Sequence, residues 1–155
     1  MMWLSQPYWV WLMKEFKKIL VCIDGSDCAN EAATYAAEIA LTFDAKVVLL
    51  TVWIPPETTR DMPAHGHRVE AERKLDKAKL IMDEAGVRHE EMVELDSNPG
   101  NFILKESSKG YDLIVMGSRG LEAMEGYVFG GVTSKVVHHS RVPTLIVPCE
   151  GMKKG

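Results

Sequence analysis

The sequence has no apolar run of membrane-spanning length. A helical span needs about 20 consecutive apolar residues, and charged or turn residues interrupt every candidate well before that. Cysteine is scarce: Cys22, Cys28 and Cys149 are an odd number with no CxxC spacing. That count argues against a disulfide framework or a zinc knuckle and suits a reducing cytoplasm. A surplus of basic charge is also missing. Eighteen Lys and Arg face 22 Asp and Glu, for a net charge of −4. Nothing builds a broad basic face, so nucleic acid is not an expected partner. No GxxxxGK[ST] phosphate loop occurs, no GxGxxG dinucleotide fingerprint, and no arguable serine–histidine–aspartate arrangement.

What is present is a chain of 155 residues, 46% hydrophobic and 26% charged, enough for one compact domain with its own core. Three of the four tryptophans fall in the opening MMWLSQPYWVWLM. This segment is too short to span a bilayer, is interrupted by Pro7, and lacks a charged start and a cleavage site. It reads as an upstream extension with the ordinary start at Met13; an aromatic membrane-surface or partner-binding segment is the alternative. The expected organisation is residues 1–13 as extension, 14–150 as one domain and 151–155 as a tail.

Apolar runs alternate with amphipathic stretches. KKILVCID (17–24), AKVVLLTVW (45–53), HEEMVEL (89–95), YDLIVMG (111–117) and RVPTLIVPC (141–149) read as strands. Between them, helical periodicity predicts helices over 27–43, 69–85, 99–110 and 132–140. The first carries Ala29, Ala32, Ala33, Ala36, Ala37 and Ala40 on one face, with Ser26 or Asp27 as N-cap. In the second, Glu70 can pair with Lys74 and Gly86 closes the helix. Asn98 and Pro99 open the third. Strands apolar on both faces, alternating with helices, predict an α/β domain: a doubly wound, open sheet of five parallel strands with helices on both faces.

The stretch MGSRGLEAMEGYVFGGVTSKV (116–136) holds five glycines. Gly117 stands at the carboxyl end of the fourth strand, the edge where open α/β sheets bind ligands. A glycine there allows close backbone approach and positive φ. Gly130 and Gly131 immediately precede a helix, whose free N-terminal amides form an anion site. The glycines therefore suggest a phosphate cradle with two arms; a surface loop that uses glycines as turns is the alternative. Glu122 and Glu125 between the arms read as solvated loop charges. His65 and His67 have no third ligand and read as part of a polar loop, and His138 and His139 as helix C-terminal cations. No catalytic or metal-ligating residue is assigned.

From about Phe16 to Pro148 the chain resembles the universal stress protein family. The resemblance rests on KILVCIDGS, VVLLTV, YDLIVMGSRG and GGVTSKVVHHSRVPTLIVP, and on the spacing G-x2-G-x9-G-[ST] of the ATP-binding branch. That spacing is met by Gly117, Gly120 and Gly130, with Gly131 in place of the final Ser or Thr. The resemblance implies strand order 3-2-1-4-5 and a ligand of ATP, ADP or AMP, with Mg²⁺ on the phosphates. It implies that Asp24 faces the adenosine and that the Val52 backbone meets adenine. Gly117, Ser118, Gly120, Gly130, Gly131, Val132 and Thr133 would then surround phosphate; Arg119, inside the glycine turn, either touches phosphate or is solvated. The Gly131 departure removes one hydroxyl, which Thr133 could replace. It further implies a homodimer through the last strand (Thr144, Leu145, Ile146, Val147) and a stress-response sensor or switch, in which nucleotide orders the 118–131 loop for an unidentified partner protein. A slow ATPase and a nucleotide-free dimerisation module are the other readings. The parts of efficient phosphoryl transfer, a cradling lysine and a water-positioning group, are not visible.

Overall fold

The computed structural model describes Pro7 and residues 14–120 and 129–149. The rest of the aromatic opening, including Met13, lies outside the described residues, as do Glu122, Glu125 and the tail. The element order is β1 (Lys18–Cys22), α1 (Asp27–Phe43), β2 (Lys46–Trp53), α2 (Ala64–Arg73), α3 (Asp76–Ala85), β3 (His89–Leu95), α4 (Pro99–Ser107), β4 (Leu113–Gly117), α5 (Gly131–His139) and β5 (Thr144–Val147). The five strands form one parallel sheet in the order β3-β2-β1-β4-β5. Fold class and strand order agree with the sequence expectation.

Alternation along each strand divides the core in two. Ile19, Val21, Val47, Leu49, Leu113 and Val115 face the layer formed by α1, α2 and α3. Leu20, Val48, Leu50, Ile114 and Met116 face Ile103 of α4 and Val136 of α5. Right-handed crossovers require this segregation. The chain steps outward from β1 to β2 to β3 on one side of the sheet, then returns and steps outward through β4 and β5 on the other.

Helix α1 shows how local signals fix an element. The Ser26 hydroxyl accepts from the Ala29 amide at 3.1 Å and caps the first turn. Asp44, at φ 51°, closes the last turn with its amide on the Ala40 carbonyl. The intervening alanines are buried, which lets the helix axis approach the sheet closely.

Three local expectations are corrected. The single helix expected over 69–85 is two, because the chain bends at Lys74 and Leu75. There the amides of both residues bond three residues back, to Ala71 and Glu72, and Leu75 is fully buried. Glu70 pairs with Arg73 at 3.0 Å rather than with Lys74. The AHGHR segment is not loop but the first turns of α2. His67 is buried edge-on against Trp53, ring centroids 5.5 Å apart.

Because Ala36 is completely enclosed, Ala36→Leu is expected to destabilise the fold by about 1–3 kcal/mol through overpacking. Leu41→Ala, on the exposed face of the same helix, should stay within about 0.5 kcal/mol. Urea unfolding midpoints of the two variants check this.

Candidate functional site

At the carboxyl edge of the sheet, β1 and β4 are neighbours whose following helices lie on opposite faces. Such a reversal opens a crevice. Here it is a cleft of about 510 Å³. Its floor is apolar, with Cys22, Leu50, Met116 and Ile103; one wall is Val52, Trp53 and Ile54; the other is Arg119, Gly120 and residues 130–133. Burial within an apolar run pushes the Cys22 thiol up to about 12, with a smaller contribution from the Asp24 charge.

Of the ten residues the sequence singles out, the structure brings nine to this cleft: Asp24, Val52, Gly117, Arg119, Gly120, Gly130, Gly131, Val132 and Thr133. Ser118 is not among the lining residues. It is buried, with its hydroxyl 3.5 Å from the Cys149 sulfur and 4.0 Å from that of Cys28.

Asp24 follows β1. Its Oδ1 accepts from the Ser26 amide at 2.9 Å and the Ser26 hydroxyl at 2.6 Å, so the carboxylate also orients the cap of α1. Val52 lies past the end of the β1–β2 ladder, whose last register pair is Cys22 with Leu50. It stays paired with β3 on its other side, opposite Glu94. The wall of β2 beyond β1 is thus held rigidly while its open side faces the cleft.

Helix α5 supplies the second arm. Gly130 is its N-cap and provides no side-chain cap. The Ser134 amide already bonds the Gly130 carbonyl at 2.9 Å, which leaves the amides of Gly131, Val132 and Thr133 as the first-turn donors of the helix. Their partial positive charge suits an anion. Arg119 lines the same cleft, and its Nε is shielded from solvent without a hydrogen-bond partner among the described residues. The Thr133 hydroxyl is not the substitute donor expected from the sequence. It donates to the Gly117 carbonyl at 2.9 Å and is buried, which ties α5 to the end of β4.

The reason for glycine also differs from expectation. Gly117 is not among the positive-φ glycines, which among the described residues are Gly25, Gly86 and Gly110. A Cβ at Gly117 would meet the Cys28 sulfur at 2.6 Å and the Cys28 carbonyl group at 3.1 Å. Gly117 is small because α1 presses on it. A Cβ at Gly120 would collide with the Asp24 carboxylate. At Gly131 a Cβ would meet nothing within 4 Å.

Lys74, Trp53 and Ile54 also line the cleft, and sequence reasoning did not assign them. The bend between α2 and α3 brings Lys74 over Gly25, with Nζ 3.4 Å from the Asp24 carbonyl. No local pattern announces this, since the bend depends on tertiary packing. The cysteine expectation needs correction too: Cys28 and Cys149 form a disulfide, Cα atoms 4.9 Å apart. An odd count rules out complete pairing but not a single bridge, and a separation of 121 residues carries no local signal.

The arrangement defines an open-sheet α/β domain whose switch-point crevice combines an apolar floor, a carboxylate and anion-seeking amides. Residues 15–148 match the universal stress protein family, and the chain belongs to that family. It is 35% identical over 141 residues to a universal stress protein of Methanocaldococcus jannaschii, covering 85% of this chain and 82% of that one. Among solved structures, it is similar to a universal stress protein in complex with cAMP (25% identity, TM-score 0.70, 86% of this chain and 98% of the other). It shares its fold with a universal stress protein of Archaeoglobus fulgidus in complex with dAMP (23% identity, TM-score 0.68, 86% and 99%). No helix among the described residues is long and apolar enough to cross a membrane.

The two glycines should respond oppositely to substitution. Gly117→Ala is expected to cost about 1–3 kcal/mol by forcing β4 and α1 apart. Gly131→Ser should leave stability within about 0.5 kcal/mol. Chemical denaturation of the ligand-free protein distinguishes them.

Proposed function

We propose that this cleft binds an adenine nucleotide, with ATP preferred over ADP and AMP, and that the protein acts as a nucleotide-dependent sensor or switch in the cytoplasm. The observation that carries the reading is the convergence of the α5 amides and Arg119 on the crevice that also holds Asp24 and the end of β2. Adenine fits against Val52, Trp53 and Ile54 over the apolar floor. Asp24 accepts from ribose hydroxyls or the adenine amino group. Phosphates lie on Gly130–Thr133 with Arg119 alongside, and Mg²⁺ accompanies the phosphate oxygens. The cAMP and dAMP complexes of similar proteins support the ligand class.

Gly131 is the observation that favours the competing reading, a domain that dimerises without nucleotide. A missing hydroxyl removes one hydrogen bond to a charged group, about 1.5–3 kcal/mol. The amide of Gly131 remains, so the cradle is weakened rather than lost. Calorimetry on protein stripped of ligand is expected to show ATP binding more tightly than AMP. Gly131→Ser, which has room for its side chain, should tighten ATP about tenfold and leave AMP unchanged. Arg119→Ala should weaken ATP by about tenfold. Equal affinity for ATP and AMP would show that the phosphate arm contributes nothing. Absence of binding by either would favour the nucleotide-free reading. Steady phosphate release would instead support the slow ATPase.

The homodimer proposed through β5 rests on its position. Among the described residues Thr144–Val147 pairs only with β4 and forms the outer edge of the sheet, and Leu145 and Ile146 are only partly covered. An apolar edge invites a second copy. Sedimentation analysis should show a dimer for the wild type and a monomer for Ile146→Lys; an unchanged dimer would move the interface elsewhere.

A further inference from the structure

We propose that Cys28 and Cys149 are a reversible thiol/disulfide site whose oxidation state sets the affinity of the neighbouring cleft. The two sulfurs differ in access. Cys149 is half-buried on the segment leaving β5, while Cys28 is buried in the first turn of α1. One thiol is therefore reachable by a reagent in solution and the other is placed to resolve the product. Cys22 is not part of the pair: it is a free cysteine on the floor of the cleft, and a thiol pushed up to about 12 leaves little thiolate at neutral pH. The dithiol state is also provided for: the Val147 carbonyl lies 3.8 Å from the Cys28 sulfur as an acceptor for its S–H.

The oxidant is a low-molecular-weight disulfide such as oxidised glutathione. The Cys149 thiolate attacks one of its sulfurs, forms a mixed disulfide and expels one glutathione thiolate. The Cys28 thiolate then attacks the Cys149 sulfur and expels the second. Two protein thiols are oxidised to one disulfide, and one glutathione disulfide is reduced to two thiols, which take up the two protons. Excess reduced glutathione reverses both steps.

Coupling to the cleft runs through Ser118, and this part rests on the nucleotide reading above. The Ser118 hydroxyl touches both sulfurs, its amide donates to the Val147 carbonyl at 2.9 Å, and its carbonyl accepts from the Gly130 amide at 2.9 Å. One residue thus joins the sulfur pair to the N-cap of α5. Gly117 is moulded around the Cys28 sulfur on one side and bound to Thr133 on the other. With the bridge closed, α1, the end of β4 and the exit of β5 are pinned together and the α5 amides are preorganised. Opening it relaxes that arrangement, so the oxidised form binds ATP more tightly.

The full-length protein is equilibrated across a series of reduced-to-oxidised glutathione ratios, and free thiols are alkylated and mapped by mass spectrometry. The expected result is complete interconversion between a dithiol and a single Cys28–Cys149 bridge, with Cys22 outside the bridge at every ratio. The melting temperature should fall by roughly 10 °C on reduction. Cys149→Ser and Cys28→Ala should each abolish the transition. A bridge that survives the most reducing ratio, or never forms at the most oxidising one, overturns the proposal, and this arm needs neither variant. ATP affinity is then measured on both forms. The oxidised form should bind roughly fivefold more tightly, and saturating ATP should displace the half-oxidation ratio by the same factor. Equal affinity in both forms overturns the coupling. A reversible bridge with no ATP binding in either form overturns the nucleotide reading while the thiol site stands.

Discussion

The seam between β1 and β4 is the constraint on which the rest of the structure depends. The register Ile19–Leu113, Leu20–Ile114 and Val21–Val115 places side by side two strands that leave the sheet toward opposite faces. Every later choice follows from it. Helix α1 covers one face with small alanines, α5 covers the other through Val136, and between their N-terminal ends the sheet edge remains open. The cleft is the space that two diverging crossovers cannot fill.

Close approach at this edge explains why its residues are small. Gly117 gives way to Cys28 and Gly120 to the Asp24 carboxylate, so both glycines serve packing between elements rather than unusual backbone angles. Gly131 is different: it stands in open space, and its lack of a side chain bears on a ligand rather than on the fold. The three glycines thus carry two distinct physical roles. Asp24 likewise has two roles. Its Oδ1 holds Ser26 in place to cap α1, while the residue itself lines the cleft.

Much of this was legible in the sequence because it rests on local rules. The alternation of apolar runs with helical periodicity yields five parallel strands. The caps at Ser26, Asn98 and Gly86 mark helix ends that the structure places within a few residues of expectation. Nine of the ten residues singled out share one cleft. What was not legible depends on distant contacts. The bend at Leu75 is invisible to periodicity, since the apolar spacing continues through it. Ser118 and Thr133 carry hydroxyls of the right type, but the packing of α1 and α5 against β4 turns those hydroxyls to sulfur and to the Gly117 carbonyl. The proximity of Cys28 and Cys149 follows from β5 and α1 meeting across the end of β4. Only the assembled sheet reveals it.

The central claim is that one crevice, at the carboxyl ends of β1, β2 and β4, holds an adenine nucleotide. Titrating isotopically labelled protein with ATP while following backbone amide resonances tests it most directly. The account predicts that perturbations concentrate at Asp24, Val52–Ile54, Arg119–Gly120 and Gly130–Thr133. Perturbations confined to the β5 edge, or scattered without reference to these segments, would contradict it.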